Sequence, residues 1–517
     1  MEDGNQTQSL KESKEKRNDY KPKALSVKTN FVFSFIIQLL TYIIPVFTSP
    51  YLSRVLGPSG IGSNSFANSI VTYFNLIISF GFVTYGTKSI SQERNSRNEY
   101  SLTFWNIVFT RALLFLFVFT AYFLMAYLWG FGETVDKRLF LVYSILLINS
   151  FADITYLFQG LENFRIISLI NIISRLIGMV CIFVFVRNSD DLLIYVLIYT
   201  LQFLIVSLCS WFFAIPSVNK PDFKNINVFK CLKEAFSYFL PTIAISVYTV
   251  LDRTMLGYLS NTNEVAYYEE AYKIVTVVVS LINALSPVML SRISSLYAQG
   301  NEKEIQHKIN QMFEVSSLIA FPSILGLYAV SRYFFPAYFG SAYEPSVEVS
   351  YFLIPLILII PISSNINSSY YVPRNKISMT TWFYIIGATT NFVSNFFAIR
   401  YMGAKGAALT SIIAESIISL LFIIFSRKGI KYKEVIKTTV KPLISAAVMF
   451  AVLMPLNYFV LDKYIDRLVL RTIISVITGV FVYGMLIVLL KEPMVISSLK
   501  KIKSRFNKKS ASNDQKN

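Results

Sequence analysis

From Leu192 to Ala214 the chain reads LLIYVLIYTLQFLIVSLCSWFFA, a run without a single charged side chain. At 1.5 Å rise per residue, such a helix crosses the ~30 Å hydrocarbon core of a bilayer. Outward from it the same pattern recurs. Apolar runs occupy 29–49, 63–87, 101–128, 139–158, 166–186, 192–214, 234–259, 265–290, 312–331, 349–370, 378–399, 406–426, 442–460 and 472–490. Between them lie loops of roughly 5 to 20 residues, too short for a soluble domain. The expected fold class is all-α: a polytopic integral membrane protein of about 14 transmembrane helices.

Composition agrees. Of 517 residues 54% are hydrophobic and 15% charged, and mean hydropathy is +0.52. A soluble chain of this length would be far more charged. The first apolar run follows a Lys-rich leader without a small-residue cleavage site, so it reads as a retained helix. Cys181, Cys209 and Cys231 are widely spaced and form no CxxC, which supports neither a disulfide framework nor a metal site. The single histidine, His307, is expected in a polar loop. Ser/His and Cys/His catalysis and His-ligated metals are thereby disfavoured, and no GxxxxGK[ST] is present for nucleotide hydrolysis. The reading is of a non-enzyme with no cofactor and no metal.

The net charge of +18 points to nucleic acid only if its distribution is ignored. With both termini cytoplasmic, roughly 34 Lys/Arg fall on the cytoplasmic side and roughly 10 outside, as the positive-inside rule asks of an even span number. The basic tails (Lys11 to Lys28 and Lys500 to Lys509) then act as topology signals and anchors to the lipid surface. The expected segments are a cytoplasmic tail 1–28, an N-lobe 29–214 (spans 1–6), a linker 215–233, a C-lobe 234–426 (spans 7–12), spans 13 and 14 over 427–490, and a tail 491–517.

The two lobes repeat one plan. Span 1 ends Leu52-Ser53-Arg54 with Leu56-Gly57; span 7 ends Leu251-Asp252-Arg253 with Leu256-Gly257. From Ala67/Ala271 to Lys88/Arg292, spans 2 and 8 keep an offset of about 204 residues. The loops after spans 4 and 10 read Gly160-Leu161-Glu162-Asn163 and Val372-Pro373-Arg374-Asn375. An even number of spans per repeat makes the repeats parallel, and spans 13 and 14 are an appendage.

Polar stripes mark the first two spans of each repeat: Ser34, Gln38, Thr41 and Thr48 on span 1; Asn64, Asn68, Thr72, Asn75 and Ser79 on span 2; Ser246 and Thr249 on span 7; Glu269, Tyr272, Lys273, Thr276, Ser280 and Asn283 on span 8. Each set lies on one helical face. Interhelical hydrogen bonding accounts for any one stripe; four of them fit a shared water-filled cavity better. Gln38, Thr41, Asn68, Asn75, Thr249 and Asn283 are its expected lining. Pro45, Pro241, Pro287, Pro322, Pro355 and Pro361 are candidate bends, as gating hinges or as static shape.

Ionisable groups in a membrane cost at least ~2.5 kcal/mol each, so they are functional candidates by default. Arg54, Arg111, Arg175, Arg253 and Lys273 could hold an anionic headgroup, the Arg fork matching phosphate oxygens in pairs. Asp153, Asp252, Glu269 and Glu415 are either their charge partners (Asp153 with Arg175, Asp252 with Arg253 or Lys273) or groups that load H+ or Na+.

Tyr51-Leu52-Ser53-Arg54-Val55-Leu56-Gly57 followed by Gly60-Ile61-Gly62 resembles the first-hairpin signature of polysaccharide repeat-unit flippases. These are the Wzx-type members of the multidrug/oligosaccharidyl-lipid/polysaccharide exporter superfamily. Asp252-Arg253-Thr254-Met255-Leu256-Gly257, then Val265-Ala266-Tyr267-Tyr268 and Ala271, is similar to their second-repeat signature, with Ala266 where Gly is usual. Gln159-Gly160-Leu161-Glu162 and the set Asn391, Asn395, Gly403, Gly406-Ala407-Ala408, Thr410 and Glu415 match further elements. The resemblance covers roughly 29–490. It implies a V-shaped, MATE-like core of two six-helix lobes lined by spans 1, 2, 7 and 8, with two extra helices outside. It also implies a bacterial cytoplasmic membrane location, undecaprenyl-pyrophosphate oligosaccharide as substrate, membrane lipids as surroundings and the polysaccharide polymerase machinery as a downstream partner. A peptidoglycan-precursor flippase stays open beside it, since that headgroup is also a pyrophosphate.

Overall fold

The structure, a computed structural model, describes residues 27–128 and 135–496, without the side chains of 27–39, 42, 164, 166, 240–242, 244, 245, 247 and 248. Gln38, Ser34 and Pro241 thus fall outside the described side chains, and most of both basic tails falls outside the described residues. Inside a bilayer the backbone has no water to bond, so bilayer-length apolar runs must satisfy their N–H and C=O groups internally, as helices. No strand occurs among the described residues. Eleven helical stretches there are long and apolar enough to cross a membrane, and the protein is a multi-pass membrane protein.

The chain divides into two compact units, Met1–Val265 and Ala266–Asn517. In the first, α1 (27–56) and α2 (58–79) meet at Gly57, whose φ of 67° interrupts the helix. There follow α3 (Phe82–Glu93), α4 (Arg97–Leu128), α5 (Lys137–Ala152), α6 (Thr155–Gly160), α7 (Phe164–Phe185), α8 (Leu192–Ala214) and α9 (Val228–Leu259). Helix α10 (Thr262–Asn283) carries the chain into the second unit. That unit adds α11 (Ser286–Ala298), α12 (Glu302–Phe339), α13 (Pro345–Leu353), α14 (Leu356–Ile366), α15 (Ile377–Met402), α16 (Ala404–Ser426), α17 (Tyr432–Pro455) and α18 (Leu468–Leu489).

Span 2, expected unbroken over 63–87, is two helices. The break falls at Phe80 and Gly81, with φ of 38° and 73°. Gly81 permits it: a Cβ there would stand 2.9 Å from the backbone of Tyr238 and Phe239. Span 8 is broken as well, between α10 and α11, with Pro287 in the first turn of α11. Ser79 and Asn283 end their helices, and Phe82 and Ser286 begin the next, each pair 204 residues apart. The repeat seen in sequence thus extends to the helix break itself.

Unit 1 packs around Phe66, Tyr122, Phe140 and Tyr143 toward one end and Phe82, Tyr100, Phe104 and Tyr156 toward the other. Unit 2 packs around Ile309, Phe313, Tyr371, Phe383 and Phe422. Helices α17 and α18 dock on α12. Asn457 Nδ2 donates to the Ala329 carbonyl (2.8 Å), Ser475 Oγ donates to Asn457 Oδ1 (2.6 Å), and Arg471 pairs with Asp462 (2.8 Å). Two loops expected from sequence are helical. His307 lies exposed on α12, and most of 332–348 belongs to α12 and α13. Helix α12 is longer than its apolar run because Asn301 caps its start, its side chain accepting from Glu304 N–H.

Candidate functional site: polar groups on bilayer-length helices

In unit 1, α2–α3 lies along α9. The glycines of the two hairpin signatures explain how closely. A Cβ on Gly257 would stand 2.0 Å from the Phe66 ring, and one on Gly62 1.6 Å from the Thr262 carbonyl oxygen. Beside these contacts Thr254 Oγ1 donates to Ser69 Oγ (2.8 Å) and reaches the Tyr73 hydroxyl (3.2 Å). The charges of Asp252 and Arg253 lie near enough to act on Tyr73; Asp252 is buried and Arg253 half-buried. At the other end of the same seam Tyr85 donates to Glu234 (2.6 Å), Lys88 donates to the Tyr238 hydroxyl (3.0 Å), and Phe80 stacks on Phe239.

The span 2 stripe is partly spent on neighbouring helices. Asn64 Oδ1 accepts from Tyr143 (2.7 Å) and Asn75 Oδ1 from Ser150 (2.8 Å), both on α5. Asn68 is half-buried, with its carbonyl accepting from Thr72. Thr41 and Thr249 are exposed, the latter donating back to the Ser246 carbonyl (2.9 Å).

The four unit 1 cations have different surroundings. Arg54 is exposed. Arg111 is only 2% exposed, held between the Phe82 and Tyr156 rings (5.5 and 5.4 Å) and donating to the Asp153 carbonyl. Its Nε and Nη2 have no hydrogen-bond partner among the described residues. Arg175 is half-buried over the Phe203 ring (5.9 Å). Asp153, expected opposite Arg175, instead turns its carboxylate to the Thr155 N–H (2.9 Å), where it starts α6. Arg253 is the fourth, at the α9 seam.

In unit 2, Glu270 is fully buried and accepts from Lys273 (2.8 Å), with Glu269 at 4.0 Å from the same ammonium. Tyr268 bonds Ser411 across to α16 (3.2 Å). Asn391 and Asn395, both fully buried on α15, bond each other (3.0 Å), and Thr410 of α16 bonds Asn395. A Cβ at Gly406 would stand 2.2 Å from the Ala398 carbonyl oxygen, so this helix pair also meets through a glycine. Glu415 is buried near Tyr384. Asn283, at the α10 break, has its Oδ1 buried and without a hydrogen-bond partner among the described residues. An apolar groove of about 560 Å³ runs between α12, α17 and α18, bordered by Pro322, Gly326, Val476 and Gly479. No group of three His, Cys, Asp or Glu placed to hold a metal occurs among the described residues.

The repeat extends to one ion pair that the sequence reading missed. Arg94, after α3, pairs with Glu162 in the loop after α6 (2.7 Å). Glu302, after α11, pairs with Arg374 in the loop after α14 (3.6 Å), with the signs exchanged. Each loop holds a non-glycine residue at positive φ, Glu162 at 56° and Asn375 at 54°. Arg374 is further clamped between the Tyr370 and Tyr297 rings (4.2 and 4.8 Å).

Residues 27–297 match the family model described as polysaccharide biosynthesis protein, and residues 238–399 match the MatE model. The chain is 25% identical over 409 residues to an Escherichia coli (strain K12) protein named "Putative O-antigen transporter", covering 78% of this chain and 98% of that one. It is 26% identical over 244 residues to the lipid II flippase MurJ of Bacillus subtilis (strain 168), covering 44% of each. Among solved structures, an inward closed conformation of the lipid II flippase MurJ superposes with TM-score 0.72 at 18% identity, covering 90% of this chain and all of that one. An inward-facing MATE-family transporter does so with TM-score 0.58 at 12% identity, covering 76% and 94%.

Proposed function

We propose that this chain, which belongs to the polysaccharide biosynthesis protein family, is a flippase for undecaprenyl-pyrophosphate-linked oligosaccharide repeat units. It would move them from the inner to the outer leaflet of the bacterial cytoplasmic membrane for capsule or O-antigen-type polysaccharide, with both termini cytoplasmic. The observation that carries the reading is the placement of cations and neutral polar groups on bilayer-length helices in a chain of that family. A sugar headgroup cannot shed its water into hydrocarbon, and only polar side chains at membrane depth replace that water. Relatives named as an O-antigen transporter and as flippases support a lipid-linked cargo over a catalytic role.

In this reading the cations that retain exposure (Arg54, Arg175, Arg253 and Lys273) serve the pyrophosphate. Arg111, enclosed by rings, holds α4 to the α5–α6 break. Asp252, Glu269 and Glu415 are the groups to which H+ or Na+ coupling falls. The paired breaks at 80–81 and 284–285 are the hinges of alternating access. The polymerase machinery would take the delivered units.

The test is the leaflet distribution of lipid-linked oligosaccharide after depletion of this protein in its native cell. Accumulation on the cytoplasmic leaflet, reversed by re-expression, supports the reading. Unchanged distribution with intact surface polymer sinks it, and retention of the peptidoglycan precursor instead would reassign the cargo. Arg175→Ala and Arg253→Ala should each abolish surface polysaccharide at normal protein level. Normal polymer in both would remove the headgroup role.

A further inference from the structure

Helix α18 stops in a tight turn that returns the chain toward the helices. Lys491 takes a positive φ of 49°, its N–H bonding the Val488 carbonyl (3.1 Å), and the Glu492 N–H bonds the Ile487 carbonyl (3.2 Å). This is the paired 5→2 and 6→1 closure of a helix C-terminus, and Pro493 bars any continuation. The turn tucks Glu492 inward. It is 1% exposed, and its Oε2 is buried with no hydrogen-bond partner among the described residues.

What faces it is another acid. Glu314 of α12 comes within hydrogen-bond reach of Glu492, and its own Oε1 is likewise buried without a partner. From α17, Lys441 lends an attractive charge, but its ammonium donates to the Lys491 carbonyl (3.1 Å). From α18, Tyr483 lies near Glu492, and its hydroxyl donates to the Leu318 carbonyl (3.0 Å). No ion pair to either glutamate is recorded among the described residues. Two carboxylates in contact cannot both ionise cheaply, whereas one proton between them converts repulsion into a hydrogen bond.

We propose that Glu314 and Glu492 form a proton-binding site that fastens the C-terminal end of α18 to α12. Burial, then Glu314, pushes the Glu492 carboxyl up to about 7. A raised acid binds its proton more tightly in the folded chain. The fastening is therefore complete below the ordinary glutamate range and is lost as pH rises through about 7. Once the proton leaves, two negative charges share one buried space and residues 491–496 separate from α12. This end of the chain is the one read as cytoplasmic, so the site samples cytoplasmic pH. The inference needs nothing of the cargo assignment, and its readouts involve no transport.

The experiment is an infrared titration of the full chain in lipid vesicles from about pH 5.5 to about pH 8.5, following the C=O stretch of protonated carboxyl groups. Wild type should lose one carboxyl equivalent near pH 7. Glu492→Gln should lack that band. Glu314→Gln should titrate at lower pH, because the like charge is gone. The chain's one histidine contributes no such band. In parallel, amide exchange across 491–496, corrected for intrinsic rate, should rise severalfold over the same interval in wild type and stay flat in Glu492→Gln. A wild-type titration with no carboxyl band in this interval, or the same band in Glu492→Gln or in the combined Glu314→Gln, Glu492→Gln protein, overturns the proton site. A carboxyl that titrates while exchange at 491–496 stays flat overturns the fastening.

Discussion

Replacing Gly62 by alanine tests the seam of unit 1 with a single methyl group. That carbon would stand 1.6 Å from the Thr262 carbonyl oxygen and 2.5 Å from its carbon. Ordinary contact needs about 3.5 Å, so the start of α2 must withdraw from the start of α10 by roughly 1.5–2 Å. The obstacle is backbone and cannot rotate aside. Overpacking of this kind costs about 1–3 kcal/mol, against which alanine returns up to about 1 kcal/mol of helix propensity. Gly484→Ala supplies the control: the same chemical change on α18, where a new Cβ meets nothing within 4 Å. There only the propensity gain remains, about 0.5–1 kcal/mol. The propensity gain is common to both, so the two variants should differ by the overpacking cost alone, about 1–3 kcal/mol, with Gly62→Ala the less stable. Buried Cys231 supplies the assay. In a Cys181→Ser, Cys209→Ser background a thiol-reactive dye reports the melting of purified protein. A Gly62→Ala melt at or above that of Gly484→Ala would refute the close-approach argument.

Arg111→Ala should lower the melt by the equivalent of about 3 kcal/mol, because it empties a site between two rings. Arg175→Ala, at a half-exposed site, should cost under about 1 kcal/mol. An Arg111→Ala protein of wild-type stability that no longer supports surface polymer would make Arg111 a substrate contact after all. The exposed Arg94–Glu162 pair should show a coupling below about 1 kcal/mol in a double-mutant cycle, shrinking further in salt. The Asp191 carboxyl is held below the usual range by the N–H groups of Arg187 and then Asn188. The sign is that of a depressed acid, so the turn stays closed at neutral pH and opens only as pH falls through the lowered pKa, beneath the ordinary aspartate range. Amide exchange at Arg187 and Asn188 should show this, and Asp191→Asn should raise it already at neutral pH.

Much of the architecture is legible in the sequence because bilayer length and parity are one-dimensional quantities. The fourteen expected runs fall on helical segments, and the offset of 204 between spans 2 and 8 returns as the spacing of their breaks. Pro287 announces the second break; nothing as plain announces the first. Gly81 yields there because Tyr238 and Phe239 crowd it from a helix roughly 160 residues away, and contacts at that range are invisible to periodicity. The stripes show the same limit. A face of Asn and Thr marks where polarity lies but not what satisfies it, so Asn75, expected against water, spends its oxygen on Ser150. Glu314 and Glu492 are passed over for a related reason. One sits near the edge of an expected span and the other in an expected basic tail, and only the turn at Lys491 brings them together.

The intramembrane charges therefore separate by what surrounds them. A charge that a protein means to show to cargo must keep part of its surface in reach of it, since desolvating an ion costs several kcal/mol that the cargo would have to return. Arg111 has met that cost already with two rings and a carbonyl, and Glu270 with Lys273. Arg111 thus has little left to offer an incoming phosphate, and Glu270 takes part of the Lys273 charge. In the proposed function, Arg54, Arg175, Arg253 and Lys273 retain exposure and would exchange water for phosphate oxygens at smaller further cost. The same reasoning explains why the signature glycines accompany these residues. Helices meet backbone to backbone at Gly62 and Gly406, and Gly257 admits the Phe66 ring, so shape fixes these contacts together with the polar groups nearby. In the proposed function, such close contacts would hold while the polar groups beside them change partners.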